Sequence, residues 1–241
     1  MKSLQRLDKV LSNFGFGSRN DIKKLIKKGL VTVDGVTARD ASMHVDPEKS
    51  IIAANGKTLN YRRFVYLMMN KPAGVISASY DDKLKTAVDL LPEEYSCFGL
   101  FPAGRLDIDT EGMLLLTNDG QLAHDLLSPK KHVDKRYYAL IDGAVTEDDV
   151  KAFAEGVILD DGYRTMPAEL FIIRSGPRSE IELILHEGKF HQVKRMFKAV
   201  GKKVIYLKRI QMGGLKLDES LGPGEFKELT PEDVELLRSK S

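Results

Sequence analysis

Three carboxylates and a guanidinium fall within seven residues of the stretch Phe101-Pro-Ala-Gly-Arg-Leu-Asp-Ile-Asp-Thr-Glu-Gly112: Arg105, Asp107, Asp109 and Glu111. Two carboxylates flanking a glycosidic bond can share acid and base work, one protonating the leaving group while the other attacks or activates water. A single carboxylate beside a fixed cation stays ionised and can act alone as nucleophile or base. A charged turn with no chemistry is the third reading. Nearness in sequence does not bring carboxyl groups together in space, so residue types alone leave the choice open; Asp109 and Glu111 are expected to hold the shape of the loop. His191 has the chemistry of a general base or metal ligand, but no Cys or His stands at ligand spacing from it. The single cysteine, Cys97, has no motif around it and is expected to be a packed thiol.

The loop must be held by something rigid. The apolar run Met113 to Leu116, bounded by Gly112 and Asp119-Gly120, reads as a buried strand, which puts the polar loop at the edge of a core, where folds place chemistry. Asn118 or Asp119 caps a helix from Gly120 to Leu127. Phe64 to Gly74 reads as a strand stopping at Lys71-Pro72-Ala73-Gly74, Thr86 to Leu91 as a short helix or turn, and Phe98 to Phe101 as the strand leading into the loop. Lys130 to Ile141 passes from a basic cluster into a strand, Val150 to Glu155 is helical, and Ala168–Arg174 and Ser179–Leu185 alternate as paired strands. Glu187 to Gly201 is a loop running into a helix with Val193, Met196, Phe197 and Val200 inward. Val204 to Ile210 is a strand, and Thr230-Pro231-Glu232 opens a last helix. Strands interspersed with helices and hairpins predict a mixed, largely antiparallel α+β sheet.

Upstream, Leu4 to Phe14 has helical spacing. Ser18-Arg-Asn-Asp21 has the form of a capping box for a second helix with Ile22, Leu25 and Ile26 inward. Arg19, Lys23, Lys24, Lys27 and Lys28 crowd its outer face. Like charges at i, i+4 oppose a helix unless something neutralises them, and a nucleic-acid backbone would. Leu30 to Val33 then makes a strand, with Asp34-Gly35 a hairpin turn. The charge is uneven: residues 1–63 hold 13 Lys/Arg against 6 Asp/Glu, and the remainder 24 against 29, within a net charge of +2. A polyanion is therefore expected to be met first by the N-terminal part. At 241 residues and 42% hydrophobic, the chain can bury a main core and a small module. One cysteine rules out an internal disulfide framework and suits a reducing compartment. No apolar stretch approaches a membrane span and no signal-peptide pattern opens the chain, so a cytoplasmic, membrane-free protein is expected.

The run Gly104-Arg-Leu-Asp107, Ile108-Asp-Thr-Glu-Gly112, an apolar strand and Thr117-Asn-Asp-Gly120 resembles the signature of the RsuA branch of pseudouridine synthases. Arg6-Leu-Asp-Lys-Val-Leu, Ser18-Arg19 and Lys28-Gly-Leu-Val-Thr-Val-Asp-Gly35 resemble the small RNA-binding domain first seen in ribosomal protein S-four. The resemblance implies an RNA-binding domain over 1–60, with Arg6, Arg19, Lys23, Lys24, Lys27 and Lys28 meeting the RNA, and a pseudouridine synthase domain over 64–238. It implies that Asp107 is the catalytic aspartate, Lys194 its basic partner, Tyr137 the aromatic stacking on the target base, and Arg105 the residue that displaces the base and fills its place. Leu183 or its neighbours would form the apolar wall, and His191 would be structural or touch RNA. The implied reaction is an isomerisation that needs no cofactor and no metal. Lysine at 194, where large-subunit relatives tend to carry arginine, points to a uridine of 16S rRNA, met in a small-subunit assembly intermediate by a monomeric enzyme. Three alternatives stand beside this: action on 23S rRNA, a non-catalytic rRNA-binding or ribosome-assembly protein, and a hydrolase releasing uracil.

Overall fold

A computed structural model describes residues 4–239. The chain forms two compact units, one comprising the chain up to Val65 together with Pro92–Gly99, the other Tyr66–Leu91 together with Leu100 onward.

In the first unit, β1 (Gln5–Arg6) precedes α1 (Leu7–Asn13) and α2 (Arg19–Lys27); β2 (Val31–Val33), β3 (Val36–Thr37), β4 (His44–Val45), β5 (Ile52–Ala54) and β6 (Lys57–Thr58) follow. The first helix starts later than its apolar spacing predicts. Gln5 and Arg6 are extended because they pair with β4, and Arg6 turns back to Asp8 through two hydrogen bonds of 3.1 and 2.8 Å. The expected capping box opens α2: Ser18 Oγ accepts from Asp21 N, and the Asp21 carboxylate accepts from Ser18 N. Strands pair in the order β3-β2-β5-β6. Both tight turns, Asp34-Gly35 and Asn55-Gly56, sit at positive φ, as two-residue hairpin turns require. Leu7, Leu11, Ile22, Ile26, Val31 and Ile52 form the core. Pro92–Gly99 contributes a 3₁₀ turn (Glu93–Phe98), with the Phe98 ring edge-on to Phe14 at 5.3 Å and Arg62 4.9 Å above it. The sequence reading makes Phe98 the start of a strand, but Gly99 turns left-handed there and the strand begins only at Phe101.

The second unit is built on one nine-stranded sheet. Its elements are β7 (Tyr66–Lys71), β8 (Phe101–Pro102), β9 (Glu111–Thr117), α3 (Gly120–Leu127), β10 (Lys135–Asp142), α4 (Glu147–Glu155), β11 (Glu169–Arg174), β12 (Arg178–Leu185), α5 (Gln192–Ala199), β13 (Lys203–Met212), β14 (Leu215–Lys216), β15 (Phe226–Glu228) and α6 (Pro231–Arg238). The main path runs β11-β12-β10-β13-β9-β7-β15, with β14 on β13 and β8 on β9. Among the described residues, every strand pairing in this sheet is antiparallel except β9 with β13, which meet in parallel at Lys208↔Glu111 and Arg209↔Gly112. Helices α3 and α6 bury Leu122, Leu126, Val234 and Leu237 against Met68, Met113, Leu115 and Met212. The central strand β9 is buried from Gly112 to Thr117, as its apolar run predicts.

Gly112 is where the polar loop joins this sheet. Its φ is +98°, and a Cβ there would stand 2.2 Å from the Arg209 carbonyl oxygen. Only glycine lets β9 approach β13 so closely at the foot of the loop.

Candidate active site

The loop 103–110 is clamped from below. Lys71 is fully buried, and its Nζ donates to the carbonyls of Pro72 (2.9 Å), Asp107 (3.2 Å) and Thr110 (2.8 Å). Burial pulls its pKa down to about 8 against the pull of Asp109, Asp107 and Glu111. Ser77 both donates to the Leu106 carbonyl and accepts from Leu106 N, each at 3.0 Å, and Gly74 N donates to Ile108 O at 2.7 Å. The Lys-Pro-Ala-Gly turn is thus the seat of the Asp107 loop.

Helix α5 brings the cation. Its start is fixed by Glu187, a buried carboxylate that accepts from Tyr163 Oη, Met166 N and Gln192 Nε2, and by Arg195, which pairs with Asp160 and Asp161. Lys194 then lies 2.9 Å from Asp107 Oδ2 and 2.5 Å from Asp109 Oδ1. Partial burial works against the charge on Lys194, but the hydrogen bonds to Asp109 and Asp107 outweigh it and its pKa is raised. The bond from Lys194 likewise holds the Asp109 carboxyl below its ordinary range. His191, left-handed at φ +48°, stacks on the exposed Phe190 with centroids 3.7 Å apart and places Nε2 3.6 Å from Asp107 Oδ1.

A cavity of about 620 Å³ opens beside this pair. Arg105 and Asp107 line it from the loop, Tyr137 and Lys135 from β10, and Leu207 and Arg209 from β13. Tyr137 and Arg209 are cross-strand partners, so their side chains share one face of the sheet. Of the residues expected to form the site, Arg105, Asp107 and Tyr137 border the cavity, while Lys194 reaches it through Asp107. The apolar wall comes from Leu185; Leu183 is wholly buried opposite Tyr137. Asp109 does more than shape the loop, since it shares Lys194 with Asp107, whereas Glu111 accepts from Tyr206 Oη at 2.7 Å. An acid–base couple would need one carboxyl kept protonated; Asp109 is pushed the other way.

In the first unit Arg19, Lys23, Lys24, Lys27 and Lys28 are all exposed along and just beyond α2, with Lys24 tied to Asp21 at 3.1 Å. Arg6 differs from the sequence expectation in being engaged by the buried carboxylate of Asp8. Sequence reasoning gave no functional weight to Lys71, Lys135 or Arg209. A signal for Lys135 existed: it shares the inward phase of β10 with Tyr137, Ala139 and Ile141, so a strand that alternates in and out places a lysine inside.

The RNA pseudouridylate synthase family matches residues 65–199, and the S4 domain matches residues 5–51. The chain is 51% identical to an uncharacterised RNA pseudouridine synthase of Bacillus subtilis, covering 96% of this chain and 98% of that one. It is 40% identical to the ribosomal small subunit pseudouridine synthase A of Vibrio cholerae, over 95% and 97% of the two chains. It is also 38% identical to the ribosomal large subunit pseudouridine synthase B of Bacillus subtilis, over 98% and 96%. A crystal structure of a pseudouridylate synthase superposes with a TM-score of 0.68 at 35% identity, covering 96% of this chain and 99% of that one. A β-sheet enzyme domain with an RNA-binding module is thus the class that fold and matches define. The chain belongs to the RNA pseudouridylate synthase family, isomerases that act on RNA, and carries an S4 domain.

Proposed function

We propose that this enzyme converts one uridine of 16S rRNA to pseudouridine, with Asp107 as its essential carboxylate. The observation that carries the reading is the Asp107–Lys194 pair at 2.9 Å on the rim of a cavity walled by Tyr137. A base inside folded RNA is reached only by extruding it, at a cost of a few kcal/mol. The exposed Arg105 at the cavity edge is placed to fill the gap left in the stack, and Tyr137 to stack on the extruded base. Lys194 sets a positive charge 2.9 Å from Asp107 Oδ2, which opposes the desolvation that bound RNA imposes on that carboxylate. The reaction breaks the N1–C1′ bond, turns the base and forms a C5–C1′ bond; the C5 proton is lost and N1 gains one, so no redox step enters.

The basic face of α2 would grip the phosphate backbone, making residues 1–60 the RNA-holding domain and 64–238 the catalytic one. Lysine at 194 and the relatives named for the small subunit support 16S rRNA, in a partly assembled small-subunit particle, as the substrate. The enzyme is proposed to act as a cytoplasmic monomer; among the described residues no helix is long and apolar enough to cross a membrane.

The test is to map pseudouridines after incubating the protein with free 16S rRNA, small-subunit assembly intermediates and 23S rRNA. Asp107→Asn is expected to abolish conversion while leaving RNA affinity within about threefold. Substantial pseudouridine formation by that variant would sink the role of Asp107, and modification confined to 23S rRNA would overturn the substrate.

A further inference from the structure

Buried polar groups in folded proteins almost always have partners, so the exceptions are informative. In the second unit, two buried side-chain atoms lack a hydrogen-bond partner among the described residues: Arg209 Nη2 and Thr110 Oγ1. Both residues line the same cavity. Arg209 is 2% exposed, and its Nε is spent on the Met113 carbonyl at 2.7 Å, leaving Nη2 without a partner. Thr110 is also 2% exposed; its backbone N–H and carbonyl are engaged by Asp107 and Lys71, but its hydroxyl is not. A third buried group, Lys135 at 3% exposure, lines the cavity with one donor used on the Val133 carbonyl at 3.0 Å.

An ionised group stripped of water and given no carboxylate is costly. Lys135 carries that cost: burial and the neighbouring Arg209 hold its pKa down to about 8, with Asp134 pulling the other way. The fold tolerates two cations and a hydroxyl at the inner end of a cavity whose rim carries Asp107. The matching ligand has acceptors for both cations and a donor for the hydroxyl, and it accumulates negative charge.

Uracil has that edge. It presents O2 and O4 as acceptors on either side of the N3–H donor. Cytosine carries an amino group in place of O4, so the cation that meets O4 would face it donor to donor, while the Thr110 hydroxyl could turn to donate to its unprotonated N3. Negative charge also reaches the base oxygens by every route the reaction can take. If the N1–C1′ bond breaks first, its electron pair leaves with the base as uracilate. If Asp107 adds at C6, the pair from the C5–C6 double bond is drawn towards O4. In either case the charge returns when the C5–C1′ bond forms and C5 gives up its proton. We propose that Lys135, Arg209 and Thr110 form the uracil-binding end of this cavity, with Lys135 and Arg209 donating to the base oxygens and stabilising the charge that develops there, and Thr110 accepting from N3–H. Fixed donors aimed at developing charge are the largest single source of rate in many enzymes.

This rests on the proposed isomerisation, and the test keeps the two apart. Single-turnover conversion, RNA affinity and thermal midpoint would be measured for wild type, Thr110→Val, Lys135→Met and Arg209→Lys. The substrates carry uridine, 2-thiouridine or 4-thiouridine at the target, sulfur being the poorer acceptor. Thr110→Val removes an unpaired buried hydroxyl at nearly constant shape, so it is expected to melt no lower than wild type yet react about tenfold more slowly. Lys135→Met is expected to react roughly 10²-fold more slowly, with RNA affinity within about threefold of wild type. The wild-type penalty for one of the two thio substrates is expected to shrink towards none in Lys135→Met or Arg209→Lys. Should Arg209→Lys fail to fold, the other two variants decide. Rates of Thr110→Val and Lys135→Met within twofold of wild type, or thio penalties unchanged in every folded variant, would overturn the proposal. A wild type that converts no uridine in any ribosomal RNA would instead overturn the isomerase reading itself.

Discussion

Lys71 holds the Asp107 loop through two of its carbonyl oxygens, those of Asp107 and Thr110, and spends a third donor on Pro72 in its own turn. It is a positioning residue, and its titration gives it a signature. Its folded pKa of about 8 lies below the ordinary 10.5 of a lysine. Between those values the folded protein has released a proton that the unfolded chain still binds, so unfolding takes one up and stability from this group rises with pH. Lys135 has the same sign. Lys71→Met is therefore expected to cut proton uptake on unfolding near pH 9 by close to one, and to slow conversion at least tenfold at unchanged RNA affinity. Proton uptake can be read from the pH dependence of urea unfolding. An unchanged slope would show that Lys71 is not buried as a cation. At this scale the sequence exposed Asp107, Arg105, Tyr137 and Lys194 because they lie in a motif. It hid Lys71 and Arg209, because a lone basic residue in a strand looks solvated until the neighbouring strands are known, and marked Lys135 only by its phase in β10. His191 was set aside for want of metal ligands, and its nearness to Asp107 depends on the left-handed turn that opens α5.

Among the elements, the strands and helices around the loop were legible from periodicity and caps: β9 buries the run Met113 to Leu116, α5 buries Val193, Met196 and Phe197 but leaves Val200 half-buried past its end, and α3 and α6 start at the caps Asp119 and Thr230. Strand order was not. The parallel meeting of β9 and β13 joins residues about a hundred apart in sequence, and no local pattern encodes it. It is that meeting which sets Arg209 beside the foot of the Asp107 loop. Gly112 is its weak point. Gly112→Ala is expected to cost roughly 2–4 kcal/mol, combining a positive φ with a backbone clash that no side-chain rotation relieves. It should also slow conversion in whatever protein still folds, because the loop moves with the strand. Gly120→Ala is the matched control: Gly120 has open space around it and an ordinary φ, so a change within about 0.5 kcal/mol is expected. Equal midpoints for the two variants in chemical denaturation would mean that β9 and β13 can part without harm.

For the whole molecule, the uneven charge has a measurable consequence. Lys23, Lys24, Lys27 and Lys28 are exposed together on the first unit, and Asp21 is their one acidic neighbour within α2. Replacing all four by Gln is expected to flatten the log–log dependence of RNA affinity on salt, by about 0.7–0.9 for each phosphate that these lysines neutralise. Conversion at saturating RNA should be spared. A slope equal to wild type would make the lysines an ordinary solvated surface. The division of the molecule was only partly readable in the sequence. A boundary near residue 60 follows from the motifs, but Pro92–Gly99 carries no mark that assigns it to the first unit; the packing of its Phe98 ring against Phe14 and Arg62 does so.

That detour also sets an order of events at the ribosome that makes the chain. Domains commonly fold as units while synthesis proceeds, yet the RNA-holding unit is not complete when its first 65 residues have emerged. Its apolar core, Leu7 to Ala54, is by then made, but the Phe98 ring that packs on Phe14 comes only with Pro92–Gly99. By then β7 has already been made, while its partners β9 and β15 have not. The nascent chain therefore passes through a stage in which β7, an apolar strand, has no sheet to join, the stage at which a chaperone has most to cover.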